Sequence, residues 1–279
     1  MEVLRRLAHV PNLRRLARRL RISGILKKAY FHCAGPSGGV LSVSLHGTVV
    51  RFSASTPTEL YDLEENLRDE VLPSCTFMDA LAATLRCGDT FYDIGSHIGQ
   101  FVLPMAKVVG EEGSVIAFEP ESAAYARLVL HLGLNGLSNV RVFRKALGDK
   151  NFLAQLVATG FSCPFLLPHG TQPESHLTRE TVEVVRGDWL VSTEALPIPR
   201  AVKIDVEGYE YFVLRGLERT LAHPACELLC CEMHPLLLPP EVSPEKIIGL
   251  VESLGFNRIR SRPRRAEIHL IAEKVQAQS

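Results

Sequence analysis

Four protonatable side chains follow two apolar stretches in the second half of the chain. Asp205 and Glu207 lie two residues apart in "AVKIDVEG", and Glu232 and His234 lie two apart in "CELLCCEMH". Residues i and i+2 share one face of a strand, so each pair projects together if the strand persists that far. If the two strands are neighbours, these four groups meet at one edge of a sheet. They are our predicted catalytic residues.

Such a group of side chains can remove a proton from a hydroxyl as that hydroxyl acts as a nucleophile. His234 has a suitable ordinary pKa near 6.5, and Asp205 could be the base if neighbouring carboxylates raise its pKa. Asp205, Glu207 and Glu232 could instead hold a magnesium ion. We prefer metal-free base catalysis. Structural interpretations also stand: Glu207 could cap the following helix, and His234 could bind a loop carbonyl.

A glycine turn earlier in the chain has the spacing of a nucleotide site. In "TFYDIGSHIGQ" an apolar strand ends at Asp93, followed by Gly95 and Gly99. A dinucleotide fingerprint, G-x-G-x-x-G, needs a glycine where His97 stands. The observed spacing, acid-x-G-x-x-x-G, is common in S-adenosylmethionine sites, and a strand-end acid suits the cationic methionyl part of that cofactor.

A second acid supports an adenosine ligand. Glu119 ends the next predicted strand in "VIAFEP", 26 residues after Asp93. A carboxylate at this position can accept hydrogen bonds from both ribose hydroxyls, which dinucleotides and S-adenosylmethionine share. Glu119 therefore supports a nucleoside cofactor but does not distinguish a dinucleotide from S-adenosylmethionine.

The elements that position these residues alternate between strand and helix from residue 90 onward. They include a helix expected from about Ile98 to Val109, a single strand expected over "VRVFRKAL" and a helix expected from about Tyr209 to Leu221. Near-continuous apolar strands alternating with helices predict an α/β fold with a doubly wound, mostly parallel sheet. We expect the main domain, with the candidate S-adenosylmethionine site, over 86–279, interrupted by an insertion at 150–188 whose ends pair as a hairpin around a loop. Residues 1–85 form a separate extension: a basic helix, a hairpin over 38–56 and a further helix.

Five blocks of this sequence resemble FkbM-type S-adenosylmethionine-dependent methyltransferases over roughly residues 75–272. The blocks are "GDTFYDIGSHIGQF", "VIAFEP", "LGLNGLSNVRVFRKALGDK", "VKIDVEGYEYFVLRGLE" and "LLCCEMHP". The resemblance implies a class I methyltransferase (Rossmann-like) fold with a seven-stranded sheet whose last strand is antiparallel. It also implies O-methylation of a hydroxyl, often on a sugar, a glycolipid or a secondary metabolite.

The resemblance also implies a set of cofactor contacts. The chain departs from the family pattern at Ser96-His97, where a small residue and Asn are usual. The "KALGD" turn is expected near adenine. The predicted contacts with S-adenosylmethionine are made by Asp93, Gly95, Ser96, His97, Gly99, Glu119, Ala146 and Asp149.

Two other functions share parts of this pattern. A nucleic-acid methyltransferase would use the same cofactor, but the strand ending "IDVEGYE" carries neither a Pro-Pro-aromatic run nor a nucleophilic cysteine. A non-catalytic S-adenosylmethionine-binding scaffold fits the cofactor residues equally well, because binding and acceptor residues are separable. We expect a small-molecule or glycan acceptor and no nucleic acid. The sequence leaves the oligomeric state open.

The charge distribution singles out the start of the chain. The formal net charge is 0, yet residues 1–28 carry nine Lys or Arg against one acid, Glu2, so this segment has +8 and the remainder −8. A basic amphipathic helix of this kind can contact an anionic membrane weakly, or dock on its own acidic domain.

The seven cysteines form no C-x-x-C pair, and no secretory or membrane-spanning segment is evident. We therefore expect a cytoplasmic protein with buried thiols, with peripheral membrane contact through residues 1–28 as a hypothesis.

Overall fold

A computed structural model describes residues 28, 31–32, 35–60, 63–64, 67, 76–158, 165–166 and 178–275. The predicted basic helix over 1–28 lies outside the described residues, apart from Lys28. No helix of the described part is long and apolar enough to cross a membrane.

Strands and helices follow one another along the described part of the chain. In chain order they are β1 (Val40–Leu45), β2 (Thr48–Ser53), α1 (Thr76–Thr84), β3 (Thr90–Ile94), α2 (Val102–Val109), β4 (Ser114–Phe118), α3 (Ser122–Asn135), β5 (Val140–Phe143), β6 (Ala146–Gly148), β7 (Phe152–Ala158), β8 (Phe165–Leu166), β9 (Thr178–Arg186), α4 (Gly187–Thr193), β10 (Ala201–Ile204), α5 (Glu210–Gly216), α6 (Glu218–Ala222), β11 (Leu228–Met233), α7 (Pro244–Ser253), β12 (Arg258–Arg264) and β13 (Glu267–Glu273).

The main sheet has seven strands in the order β12-β13-β11-β10-β3-β4-β5. Strands β5, β4, β3, β10 and β11 run parallel, and β13 is antiparallel to both β11 and β12. All four residues of β10 are buried, as expected for a parallel strand covered by helices on both faces. This topology confirms the predicted class I methyltransferase fold, including the antiparallel last strand.

Crossovers place the first strand of the domain, β3, in the middle of the sheet between β4 and β10. The chain order changes direction at β3, because it proceeds to β4 and β5 on one side and returns to β10 and β11 on the other. Ligands of doubly wound sheets bind at the carboxyl ends of the strands beside such a point. The ends of β3, β4, β10 and β11 are therefore the place to look for a site.

The predicted hairpin is present, with Leu45 paired to Thr48 across the turn His46-Gly47. Val50 and Phe52 are fully buried in the same core cluster as Phe91 of β3. The described part of the extension thus shares a core with the main domain, on the face of the sheet that also carries α2.

Several element boundaries differ from those expected from the sequence. The helix expected from about Ile98 begins at Val102, because residues 97–101 form turns. The stretch "VRVFRKAL", expected as one strand, divides into β5 and β6. The helix expected from about Tyr209 to Leu221 is interrupted at Leu217, which separates α5 from α6.

The insertion builds a second, four-stranded sheet in the order β6-β9-β7-β8. Strands β7 and β9 pair antiparallel, with Phe152 opposite Val184, so the predicted pairing is confirmed. Strand β6 follows directly from the main sheet through Arg144-Lys145 and pairs with β9. Residues 159–164 and 167–177 of the predicted loop lie outside the described residues.

Three of the four described cysteines, Cys226, Cys230 and Cys231, are buried thiols in no disulfide, whereas Cys87 is exposed. Burial raises the pKa of Cys226 to about 12, which keeps this thiol protonated. The buried cysteines therefore behave as apolar core residues.

Candidate active site

One cavity of about 330 Å³ lies at the carboxyl ends of the central strands. It is bounded by the turn after β3, the end of β4, the β5–β6 connection, the ends of β10 and β11, the four-stranded sheet and the β12–β13 hairpin. Its lining residues are Ile94, Gly95, His97, Gln100, Phe101, Phe118, Glu119, Pro120, Lys145, Ala146, Leu147, Leu156, Leu166, Lys203, Asp205, Val206, Glu207, Tyr209, Glu232, Arg264, Arg265 and Glu267.

The glycines of the turn after β3 permit close packing inside the protein. Gly95 has φ 79°, and a Cβ atom there would lie 1.7 Å from the backbone oxygen of Asp205. Gly99 has φ 99°, and a Cβ atom there would meet the Leu128 side chain at 2.7 Å. Gly95 also lines the cavity, whereas Gly99 lies against α3. The two glycines thus allow the turn after β3 to pack closely against the end of β10 and against α3. The sequence alone did not reveal this packing role.

Ser96 connects two strand ends rather than facing the cavity. Its hydroxyl donates to the Asp93 carbonyl at 2.7 Å and accepts from the Phe118 amide at 3.1 Å, and the residue is buried. Ser96 therefore holds the ends of β3 and β4 together. It is not among the residues that line the cavity.

Glu119 is almost fully buried at the end of β4 and lines the cavity. Its two carboxylate oxygens accept from the backbone amides of His97, at 2.7 Å, and Glu121, at 2.9 Å. Burial raises the pKa of Glu119 to about 7, although these hydrogen bonds oppose the shift. The carboxylate is thereby fixed beside the glycine turn, with lone pairs left for a ligand.

His97 adopts a left-handed backbone with φ 47°, which lets its amide reach Glu119 while its ring lines the cavity. Burial lowers the pKa of the ring to about 4, and the nearby cations Arg127 and Lys203 lower it further. His97 is therefore neutral at physiological pH and can offer a hydrogen bond without adding charge.

A buried ion pair joins β3 to β10 beside the cavity. Asp93 is fully buried, and its Oδ1 lies 3.3 Å from the ammonium of Lys203. Burial raises the pKa of Asp93 to about 6, against the lowering effect of Lys203. Burial of Lys203 alone would disfavour its charge, but Asp93 and Asp205 outweigh burial and raise its pKa above the usual range.

Lys203 connects the two halves of the site. Its Nζ donates to the Gly95 carbonyl at 2.8 Å and lies 3.4 Å from Asp205 Oδ2. It also lies 5.2 Å from the centre of the Phe101 ring. From the sequence alone this residue was assigned no role. A lone cation in an otherwise apolar strand was the signal, because a buried lysine requires a buried partner.

The ends of β10 and β11 bring together three of the four predicted catalytic residues. His234 Nε2 lies 3.5 Å from Glu207 Oε2 and 3.8 Å from Asp205 Oδ1. The strand β10 stops at Ile204, and Glu207 has φ 53°, so the two acids are not in strand conformation as expected. The turn after β10, rather than strand periodicity, directs both carboxylates towards His234.

His234 is oriented from behind by a buried acid. Its Nδ1 lies 2.7 Å from Oε1 of Glu210, the first residue of α5, whose side chain is fully buried. Burial opposes protonation of the imidazole, but the Glu210 hydrogen bond and the carboxylates of Glu210, Asp205 and Glu207 raise the pKa of His234 to about 9. The expected base with an ordinary pKa near 6.5 is therefore a cation at neutral pH. Glu210, the last acid of "KIDVEGYE", was not predicted from the sequence.

Glu232 lines the cavity but has different partners from the other three. Its Oε2 lies 3.1 Å from His269 Nε2 of β13 and 3.9 Å from Arg264. Burial would raise the pKa of Glu232, but the hydrogen bond from His269 and the nearby cations lower it overall. His269 in turn stacks on Phe77 of α1 at 4.2 Å between ring centres. Through His269, Glu232 thus links β11 to α1.

The remaining predicted contacts fall on the β5–β6 connection. Ala146 lines the cavity, whereas Asp149 is half-buried and outside the lining. Burial raises the pKa of the nearby Tyr209 hydroxyl to about 12, and the charge of Asp149 adds to that shift. Tyr209 lines the cavity as a neutral hydroxyl and was not predicted.

The chain matches a family model over residues 93–258, described as the methyltransferase FkbM domain. The match begins at the strand-end acid Asp93 and ends at the first residue of β12, so it contains the glycine turn, Glu119 and the cluster around His234. The chain belongs to the FkbM methyltransferase domain family. The resemblance seen in the sequence is therefore confirmed.

Three proteins of named function are similar to this chain. The hexuronic acid methyltransferase AglP of Haloferax volcanii is 28% identical over 167 residues, which span 56% of this chain and 60% of the relative, less than two thirds of its length. A structure of an S-adenosylmethionine-dependent methyltransferase from Aquifex aeolicus is 16% identical, with a TM-score of 0.43 over 78% of this chain and 98% of that chain. A structure of an rRNA methylase from Streptococcus thermophilus is 14% identical, with a TM-score of 0.43 over 71% and 93% of the two chains.

Proposed function

We propose that this protein transfers a methyl group from S-adenosylmethionine to a hydroxyl of a sugar, with a hexuronic acid as the favoured acceptor. The observation that carries the proposal is the cavity at the carboxyl ends of the central strands. Gly95 and Glu119 line it together with Asp205 and Glu207, and His234 lies beside these two acids. Family membership supports the reaction class.

The cavity residues fit the cofactor. Glu119 offers a fixed, nearly buried carboxylate for two ribose hydroxyls. Apolar side chains of Phe118, Leu147 and Leu156 provide a wall for adenine, and Ala146 leaves space beside them. S-adenosylmethionine supplies a methyl group on a cationic sulfonium, which is reactive enough that the protein mainly has to align the nucleophile.

Asp205 is the group best placed to receive the acceptor proton. It lines the cavity, and its side chain keeps 30% of its surface exposed. His234 has the opposite task, because as a protonated imidazole it donates rather than accepts hydrogen bonds. It can orient Asp205 and Glu207, which line the cavity. Alignment of this kind supplies much of the rate in a displacement reaction.

The cavity lining carries charges of both signs. Lys145, Arg264 and Arg265 contribute cations, and Glu232 and Glu267 contribute carboxylates. Such a lining suits a ligand with many hydroxyls and one negative charge better than an apolar metabolite. The relative AglP, named as a hexuronic acid methyltransferase, points to the same acceptor class.

The proposal is tested with isotopically labelled methyl donor and a panel of oligosaccharides that do or do not contain a hexuronic acid. We expect label in the hexuronic acid compounds, on an oxygen that mass spectrometry of the fragments identifies. Asp205→Asn should reduce turnover by roughly 10²-fold or more while donor affinity stays near that of the parent. Asp79→Asn, an exposed acid at the hairpin contact, is the matched control.

Turnover of Asp205→Asn within a few-fold of the parent would show that this carboxylate has no part in proton transfer. Donor binding without transfer to any acceptor of the panel would favour a binding scaffold instead. Label appearing in RNA or DNA, and not in the oligosaccharides, would contradict the proposed acceptor.

A further inference from the structure

The Nε2 atom of His234 lies farther from the carboxylates of Asp205 and Glu207 than a typical hydrogen bond would place it. One ligand-type atom from each residue lies within 4.8 Å of the other two. The separations from His234 Nε2 are 3.5 Å to Glu207 and 3.8 Å to Asp205, whereas N–H···O bonds have typical lengths of about 2.7–3.2 Å. An ion about 2.1 Å from each ligand would hold neighbouring ligand atoms about 3.0–3.5 Å apart and opposite ones about 4.2 Å apart. Small side-chain shifts therefore suffice to bring all three onto one ion.

A second observation concerns the imidazole itself. The His234 side chain is only 8% exposed, and its Nδ1 is taken by the fully buried Glu210 at 2.7 Å. Its Nε2 is thereby aimed at the two carboxylates, and it makes no hydrogen bond within the described part of the chain. Histidines that bind metals are commonly oriented in this way, with the other ring nitrogen donating to a carboxylate.

We propose that Asp205, Glu207 and His234 bind one divalent transition-metal ion, with Glu210 as the residue that positions His234. Two carboxylates and one imidazole form a mixed set of oxygen and nitrogen ligands, which suits manganese(II) better than calcium or magnesium. Three protein ligands leave coordination positions open towards the cavity.

The neighbouring cation does not exclude an ion here. Lys203 lies 3.4 Å from Oδ2 of Asp205, whereas the oxygen that faces His234 is Oδ1. Lys203 also pairs with Asp93 and the Gly95 carbonyl, so its position does not depend on Asp205. The carboxylate can therefore accept from Lys203 with one oxygen and bind the ion with the other.

Ion binding requires His234 to release its Nε2 proton, so the protonated imidazole and the metal-bound imidazole are alternative states of the same site. In catalysis the ion would hold the acceptor hydroxyl and lower its pKa, and the hydroxyl proton would pass to water, because Asp205 is then a ligand of the ion. This part rests on the proposed function. Ion binding itself does not, because it is measured without methyl donor or acceptor.

The test is a titration of the metal-stripped, full-length protein with manganese(II). Loss of the electron paramagnetic resonance signal of the free ion measures binding. We expect one ion per chain. His234→Gln and Asp205→Asn should each weaken binding by about tenfold or more, and Glu210→Gln by roughly 10–100-fold, as found for residues that orient metal ligands. His46→Gln is the matched control, because His46 lies 3.2 Å from Asp79 in an exposed pair far along the chain.

Circular dichroism shows which variants are folded. Asp205→Asn alters a part-exposed side chain and keeps the test decisive if His234→Gln unfolds. Absence of stoichiometric binding in the parent, or equal binding by parent and folded variants, would overturn the metal site. Methyl transfer that persists in a chelator, together with no bound manganese, would overturn the site and leave the proposed function intact. Bound manganese without transfer to any acceptor would support the metal site and contradict the proposed function.

Discussion

Lys203 is the residue on which both halves of the site depend. It is 3% exposed and contacts the Gly95 carbonyl, Asp93 and Asp205. A buried ion pair adds little stability overall, because desolvation cancels most of the attraction. Removal of one partner is costly, however, since the other charge is then left buried without compensation.

We therefore expect Lys203→Met to reduce the free energy of unfolding by about 3–5 kcal/mol. Lys107→Met, which removes an exposed lysine bound to the Val49 carbonyl, should cost much less. Urea denaturation measures both. The double variant Asp93→Asn/Lys203→Met should lose less than the sum of the single losses, and strict additivity would contradict the ion-pair interpretation.

Glu119 gives the cofactor site a predictable dependence on pH. Its pKa in the free protein is raised to about 7 by burial, and ribose hydroxyls that donate to the carboxylate would favour the ionised form. Binding should therefore expel a proton below pH 7. Affinity for S-adenosylmethionine should rise as the pH increases towards 7 and level off above it.

Calorimetric titration between pH 5.5 and 8, about 1.5 units below and 1 unit above that pKa, measures this effect. Glu119→Gln should bind more weakly and show a flatter profile, while Glu112→Gln, at an exposed position, should resemble the parent. A pH profile of Glu119→Gln that matches the parent would assign the dependence to another group.

At the scale of elements, the close approach of β3 and β10 is what assembles the site. The turn after β3 contacts the backbone just past β10 so closely that Gly95 has no room for a Cβ atom. Gly88 offers the right comparison: it has φ 87°, but a Cβ atom there would meet nothing within 4 Å.

Gly88→Ala should thus show backbone strain alone, about 1–2 kcal/mol, whereas Gly95→Ala should lose considerably more stability without any ligand present. Urea denaturation of both proteins measures the difference, with failure of Gly95→Ala to fold as its extreme form. Equal stability of the two variants would mean that Gly95 serves ligand approach and not strand packing.

The parallel strands could be predicted because each is a near-continuous apolar run between turn signals, and the antiparallel last strand was implied by the family resemblance. The division of "VRVFRKAL" into β5 and β6 could not, because it depends on the pairing of Ala146 with Val184 of the distant strand β9. The late start of α2 has a similar cause: the left-handed His97 bonds to Glu119, a tertiary contact.

In the site, too, local residue patterns predicted some features, whereas others depend on tertiary contacts. Asp205, Glu207 and His234 were predicted from residue type and strand-end position, and they do meet. The raised pKa of His234 and the role of Glu210 depend on which charges face one buried ring, and no sequence spacing shows this. Ser96 was expected in the cofactor site from its place in the turn, yet its hydroxyl bonds to two backbone groups of neighbouring strands.

At the scale of the whole molecule, the charge of the chain is unevenly placed. Residues 1–28 have +8 and the remainder −8. The basic segment lies outside the described residues except for Lys28, so its membrane contact stays a prediction. We expect full-length protein to sediment with anionic vesicles at low salt more than a chain starting at Tyr30 does. Equal recovery of the two would exclude a membrane role for the segment.

The most direct test of the central claim, that the cavity binds S-adenosylmethionine, is the thermal unfolding of the protein with each of the two competing cofactors. Ligand at 100 times its dissociation constant stabilises the folded state by about 2.7 kcal/mol, which raises the melting temperature measurably. We predict a shift with S-adenosylmethionine, no shift with NAD, and loss of most of the S-adenosylmethionine shift in Glu119→Ala. A shift with NAD alone, or an S-adenosylmethionine shift that Glu119→Ala leaves unchanged, would contradict the account.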